Sequence, residues 1–197
     1  MNWGGQTEPY FGMGILNVKN SSDIWFNDNN IYDNSNQYFQ KQEGKTANVY
    51  TENNTFNNNV FDGGTGATPK VYAIPEYADE PEGDMDMESS EIILSPNDNL
   101  YEVLQGASDG ATIILKEGTY YIPDTYHTGL MMKDLMDVSI EGEGEVTIVA
   151  NSGHHRVLTI EHCDRILIKN VHLTHVIQEG HCDAPVVSIS NSVYTSI

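Results

Sequence analysis

The sequence is short of cysteine and of basic side chains. Its two cysteines, Cys163 and Cys182, are too few for a disulfide framework and do not form a CxxC pair. Lysine and arginine together number 9 against 29 aspartates and glutamates, so the 197-residue chain carries a formal net charge of −20. This charge repels phosphate backbones, and we therefore predict that the protein binds no nucleic acid.

Long apolar runs are also missing. No stretch of about 18 apolar residues occurs, which predicts that the chain inserts into no membrane. The first residues, MNWGGQTEPYFGMGIL, lack the basic and apolar regions of a secretory signal, so we expect no signal peptide in this chain and the compartment stays open. With 39% hydrophobic residues, the chain has enough apolar surface for one domain, or two small ones, with a real core.

What the sequence does contain is an internal repeat. The segment from Ile15 to Ile31 aligns without gaps on the segment from Val157 to Leu173, 142 positions later, with apolar residues on apolar residues. This offset is close to five times 28 or 29, and single shifts of 28 or 29 bring further segments into the same pattern. Each repeat contains two or three stretches of alternating apolar residues separated by Gly, Asn, Asp and Ser. The pattern predicts an all-β fold, a parallel β-helix in which each strand pairs with its equivalent in the next rung.

One segment has helical spacing instead. In SPNDNLYEVLQGA, residues 95–107, Leu100 and Leu104 share a helical face, and Ser95 or Asn97 is suited to be the N-cap. The strand-like stretch ATIILKEGTYYI follows it. We therefore expect a short amphipathic helix that caps one end of the solenoid.

These features together resemble a known family. The stretch LYEVLQGASDGATIILKEGTYYI resembles the opening of right-handed parallel β-helix proteins of the pectin-lyase-like superfamily, and HHRVLTIEHCDRILIKNVHL resembles their standard rung. The resemblance covers most of residues 10–61 and 92–197. It implies a right-handed parallel β-helix, a polysaccharide as partner, and an extracellular or cell-surface location. The family includes lyases, hydrolases, epimerases and non-catalytic surface proteins, so the activity stays open.

The rungs are not in simple chain order. We interpret residues 1–61 as the last rungs of the solenoid, and residues 92–197 as the capping helix and the opening rungs. Residues 62–91, with three prolines and eight acidic residues between Glu76 and Glu91, would form a connector. The chain would then be a circular permutant, or its two parts would meet between neighbouring molecules; the rival interpretation is a segment that spans the end of one β-helix and the start of another. Unpaired strands at an open end also favour a homo-oligomer or end-to-end self-association.

The histidines supply the first candidate site. His127 lies 28 residues before His155, which lies 28 residues before Asp183, so the three side chains are expected to stack on adjacent rungs. Two imidazoles and a carboxylate suit acid/base catalysis on a sugar or the binding of a divalent transition metal. Adjacent rungs are about 5 Å apart, so the three reach one ion only when the side chains lean inward. A solvated turn ladder is the simpler interpretation.

Two further groups are weighed against structural roles. His162 occupies the repeat position of Asn20 and Asn191, which predicts that it belongs to an interior polar ladder. For the lyases, the resemblance implies a calcium-assisted elimination in which an arginine takes the proton. Arg156 and Arg165 are the only arginines, and neither is accompanied by a recognisable cluster of aspartates. The lyase motif is therefore not carried over, and a divalent cation such as calcium is the cofactor that the resemblance suggests.

An aromatic residue supplies the second candidate site. Alternation along the strand places Phe26 inward and Trp25 outward, so Trp25 is the candidate for contact with carbohydrate. In the absence of a coherent catalytic set, we expect a non-catalytic β-helix scaffold that serves as a surface, carbohydrate-binding or assembly module. The alternative is a polysaccharide-acting lyase, hydrolase or epimerase of the pectin-lyase-like type.

Overall fold

The structure, a computed structural model, describes residues 14–32, 38–57, 60–61, 64–65, 90–123, 128–152, 155–176 and 184–197. In these residues strands predominate and pair in parallel to form a β-solenoid of about four turns, with one short helix. This architecture confirms the predicted all-β parallel β-helix. None of the helices in these residues has the length and apolar character needed to cross a membrane.

The elements follow one another as short strands separated by polar turns. Up to residue 65 they are β1 (Gly14–Lys19), β2 (Ser22–Trp25), β3 (Asn30–Tyr32), β4 (Tyr38–Glu43), β5 (Ala47–Tyr50), β6 (Thr55–Asn57), β7 (Val60–Phe61) and β8 (Gly64–Thr65). From residue 91 they are β9 (Glu91–Leu94), α1 (Leu100–Gln105), β10 (Thr112–Ile122), β11 (Leu130–Lys133), β12 (Met136–Ala150), β13 (Leu158–Glu161), β14 (Asp164–Lys169), β15 (His172–His175), β16 (Val187–Ser190) and β17 (Val193–Ser196).

Most of these strands line three faces of the solenoid. The first face is a five-stranded sheet in the order β11, β13, β16, β1, β4. The second face has the order β9, β10, β12, β14, β17, β2, β5, to which β10 and β12 contribute their first halves. The third face contains the second halves of β10 and β12, with β15. β3 and β6 form a separate parallel pair, and β7 and β8 an antiparallel one.

The last strands of the chain pair with the first ones. β16 pairs in parallel with β1, with Val187 opposite Leu16, and β17 pairs in parallel with β2, with Val193 opposite Ser22. The N-terminal rungs therefore stack on the C-terminal rungs within one chain. Most of the expected connector, 62–91, lies outside the described residues, so the three-part division and the permutation stay predictions.

Inward side chains stack into columns along the solenoid. On the second face one column is continuous through five rungs, and its members are at most 2% exposed. It consists of Val138, Ile166, Thr195, Ile24 and Val49. Burying one large apolar side chain stabilises the fold by about 1.5–3 kcal/mol. Because each rung adds one member to each column, the core grows by one layer per rung.

Between the first and second faces, successive rungs turn a tight corner with two residues in the left-handed region. With φ between 50° and 59°, these are Asp134, His162, Asn191 and Asn20 at the first position and Asp137, Arg165, Tyr194 and Asp23 at the second. Aspartate and asparagine tolerate this conformation, which costs other residues about 1–2 kcal/mol. The predicted equivalence of His162 with Asn20 and Asn191 is confirmed. Its predicted interior position is wrong, because its side chain is 49% exposed.

The residue after the first left-handed position is the one that points into the core. The Ser21 hydroxyl accepts a hydrogen bond from the Ser192 amide at 3.1 Å, and the Ser192 hydroxyl accepts one from the Cys163 amide at 3.0 Å. Cys163 takes the serine position in its own rung, and burial raises the pKa of its thiol. The interior polar ladder therefore exists, one residue beyond His162.

The helix α1 begins later than the sequence predicts. Its N-cap is Asn99, whose side chain accepts a hydrogen bond from the amide of Glu102 at 3.3 Å. The expected caps, Ser95 and Asn97, fail because residues 95–98 form a turn of their own. In that turn the Asp98 carboxylate accepts from the Ser95 amide at 2.7 Å.

The apolar face of α1 covers one end of the core, beside β11. Leu100 and Leu104 are 5% and 2% exposed, which confirms the helical face predicted for them. Gln105 fixes the helix on the solenoid, because its amide group donates to the carbonyl oxygen of Met131 at 3.0 Å.

Candidate functional site

The predicted histidine stack falls mostly outside the described residues. His127 and Asp183 lie outside them, so their stacking with His155 on adjacent rungs is untested. His155 itself is half-buried in the turn that follows β12. The catalytic assignment of these three residues therefore stays a prediction.

His155 has a neighbour that the repeat did not predict. Nε2 of His175, the last residue of β15, lies 2.7 Å from the backbone carbonyl oxygen of His155, and it donates to that oxygen when protonated. Burial lowers the pKa of His175, and the nearby His155 ring adds to the lowering. His175 lies opposite Ala150, an offset of 25 residues. The search used an offset of 28 and therefore missed it.

This histidine pair does not extend to a metal centre in the described part of the chain. Across the described residues, no group of three or more His, Cys, Asp or Glu side chains is arranged to hold a metal ion. Calcium needs six to eight oxygen ligands. The described residues therefore do not fit the divalent cation that the family resemblance suggests.

Arg165 is bound by two aspartates. Its Nη2 donates to Asp137 Oδ2 at 2.7 Å, its Nε donates to Asp137 Oδ1, and its Nη1 donates to Asp164 Oδ2 at 2.9 Å. The hydrogen bonds from Arg165 lower the pKa of Asp137, and those to Asp137 raise the pKa of Arg165. A guanidinium whose pKa is raised holds its proton, so Arg165 is poorly placed to be the base of an elimination.

The expectation that no aspartates accompany Arg165 is thus wrong. Asp137 lies 28 residues before Arg165, which is one rung, so both occupy the second left-handed position of successive corners. The repeat carried this signal, because the same shift that aligned the apolar residues also places Asp137 beside Arg165. The function of the contact is to tie two rungs together on the outer surface.

Trp25 lies on the outer side of the second face. It is half-buried, whereas its neighbour Phe26 is 5% exposed and points into the core, as alternation predicted. Trp25 pairs in register with Tyr50 of β5, and the two rings stack with centroids 5.4 Å apart and planes at 15°. On its other side Trp25 lies opposite Ser196 of β17.

Comparisons with known proteins leave the family open. A scan against protein-family models found no matching family, and searches of curated proteins and of solved structures found no match to this chain. The parallel β-solenoid therefore stands on the structure alone, and the resemblance to the pectin-lyase-like superfamily stays a prediction.

Proposed function

We propose that the protein is a non-catalytic β-solenoid module that binds carbohydrate on its second face through Trp25. The observation that carries this proposal is the outward stack of Trp25 on Tyr50, on a sheet whose strands are paired on both sides. An indole face is apolar, rigid and amphipathic at its edge, which suits contact with the C–H bonds of a sugar ring. Sites on regular strands also hold their geometry better than sites on loops.

The charged residues of the outer surface support a non-catalytic role. Arg165 is held by Asp137 and Asp164, and Lys169 forms an ion pair with Glu141 at 3.0 Å. Charges that neutralise one another between rungs stabilise the stack and are not free for proton transfer. The proposal extends to the pectin-lyase-like family, whose members include such non-catalytic surface proteins, and to the extracellular or cell-surface location that this family implies.

Sugar titrations of the Trp25→Ala variant test this proposal. Isothermal titration with oligosaccharides of glucose, mannose, galactose, xylose and galacturonate identifies a ligand of the parent chain. Trp25→Ala should then bind it at least tenfold more weakly, because the stacking surface is lost. The matched control is Tyr121→Ala, since Tyr121 is 65% exposed on the third face and should contribute nothing. Unchanged affinity in Trp25→Ala, or equal losses in both variants, contradicts the proposal.

A second candidate function is a polysaccharide-acting enzyme, and the contact between His175 and His155 favours it. A buried imidazole with a lowered pKa is neutral near pH 7 and can accept a proton. Lyase and hydrolase assays on neutral and acidic glycans, with and without calcium, test it. Activity that is lost in His155→Ala, while circular dichroism stays unchanged, supports the enzyme. Absence of turnover on all of these glycans contradicts it.

The proposal includes self-association. In the described residues β4 and β5 are the last strands of their sheets, at the opposite end from α1. Because α1 covers one end of the core, contact through the other end joins two copies and then stops, as a two-fold dimer. Light scattering should give twice the 21.9 kDa chain mass. A mass of one chain at all concentrations tested contradicts this part of the proposal.

A further inference from the structure

The outward column that contains Trp25 has a small residue in its middle. In register across successive strands of the second face, Leu167 lies opposite Ser196, Ser196 opposite Trp25, and Trp25 opposite Tyr50. Neighbouring strands are about 4.8 Å apart, so Leu167 and Trp25 flank Ser196 at a separation of roughly 9.6 Å. A serine between two large apolar side chains leaves a slot one rung wide.

The stack on Tyr50 decides which face of Trp25 looks into this slot. The two rings are nearly parallel and belong to adjacent strands, so their faces point along the solenoid axis. Tyr50 covers one face of the indole. The opposite face therefore points towards Ser196 and, beyond it, towards Leu167, whose side chain is 37% exposed.

The width of the slot matches a single ring. Two carbon surfaces in contact lie about 3.5–4.0 Å apart, so one ring between Trp25 and Leu167 needs roughly 7–8 Å. Two stacked rings need about 11 Å by the same measure and do not fit. The slot therefore selects one flat ring, with the hydroxyl of Ser196 at its floor.

The charges beside the slot exclude an anionic ring. Both cations of β14 are already engaged, Arg165 with Asp137 and Asp164, and Lys169 with Glu141. A uronate carboxylate placed here would lose hydration without gaining a free cation, and it would approach a chain of net charge −20. A neutral sugar meets neither penalty.

We infer that the slot formed by Leu167, Ser196 and Trp25 binds one uncharged hexopyranose ring, stacked on the indole face that Tyr50 leaves open. The inference rests on the proposed carbohydrate-binding function and names the ligand class for that same surface. It separates this chain from proteins that bind polyuronates, whose substrates carry a negative charge on every residue.

Filling the slot while keeping Trp25 tests the inference. Ser196→Leu places a branched side chain where the ring would lie, and binding of neutral glucose, mannose or galactose oligosaccharides should fall at least tenfold. The matched control is Ser139→Leu, since Ser139 lies opposite Leu167 in the same outward column but outside the slot. This control should bind as the parent does. Circular dichroism and thermal unfolding verify that both variants fold.

The outcomes separate the slot from the proposed function. Loss of binding in Trp25→Ala together with unchanged binding in Ser196→Leu overturns the slot and leaves the carbohydrate-binding function standing. Unchanged binding in Trp25→Ala overturns both. Oligogalacturonate that binds as tightly as the neutral oligosaccharides, at physiological salt, overturns the assignment to uncharged rings.

Discussion

The inward and outward columns of the second face share one backbone and differ in what they repeat. The inward column keeps one shape and is buried throughout, from Val138 to Val49. The outward column changes at every rung, from serine to leucine, serine, tryptophan and tyrosine. Packing against the neighbouring rungs restricts the inner positions to side chains of similar volume. The outer positions are free of that restriction, and differences between rungs there are where a binding site can arise.

The largest expected effect comes from exchanging adjacent inner and outer residues for alanine. Ile166→Ala should lower the free energy of unfolding by about 2–5 kcal/mol, because it leaves a cavity in the core. Leu167→Ala, one residue along the same strand, should lower it by less than about 1 kcal/mol, because Leu167 is 37% exposed. Urea unfolding followed by circular dichroism measures both. Equal losses would mean that the outward column is also part of a packed core.

A smaller effect is expected where the outer surface ties two rungs together. Asp137→Asn should lower the free energy of unfolding at pH 7 by about 1–2 kcal/mol, because it removes the charge that Arg165 binds. The folded-state pKa of Asp137 lies below its unfolded value, so its contribution is present above the unfolded pKa. That contribution is lost as the pH falls through the folded pKa.

The difference between parent and Asp137→Asn should therefore close below about pH 4. Unfolding measured at pH 7, 5 and 3 follows it. Arg165→Met, which keeps much of the side-chain volume, should give the same loss at pH 7, since it removes the other partner of the same contact. A difference that persists undiminished at pH 3 would mean that Asp137 acts through its backbone conformation and not through its charge.

The comparison also explains what the sequence can predict. The period of 28 or 29 residues predicts the inner columns well, because burial imposes apolar residues at every rung. It predicts outward contacts only when the period is applied to charged and aromatic residues as well. That is how Asp137 beside Arg165 and Tyr50 beside Trp25 were overlooked. The rungs also differ in length, so the 25-residue step from Ala150 to His175 escaped a search at 28.

Local hydrogen bonds account for the remaining differences. The first turn of α1 was expected at Ser95, yet the Asp98 carboxylate binds the amide of Ser95 and closes a separate turn. His162 was expected inside, yet its left-handed backbone carries the side chain outward and leaves the interior position to Cys163. Alternation of apolar residues does not predict the direction of a side chain at such a corner, because the strand geometry is interrupted there.

The smallest effect concerns the one polar member of the inward column. Thr195 is fully buried between Ile166 and Ile24, and its hydroxyl has no hydrogen-bond partner among the residues that the structure describes. Thr195→Val keeps the shape and removes a buried polar group that makes no bond, so it should raise the free energy of unfolding by about 1 kcal/mol. Thr159→Val is the matched control, since the buried Thr159 hydroxyl donates to the carbonyl of Thr128 at 2.7 Å and its removal should destabilise. Urea unfolding of both variants gives the comparison. A destabilised Thr195→Val would show that this hydroxyl is satisfied in solution, and that the inward column tolerates polarity where the outer surface supplies a partner.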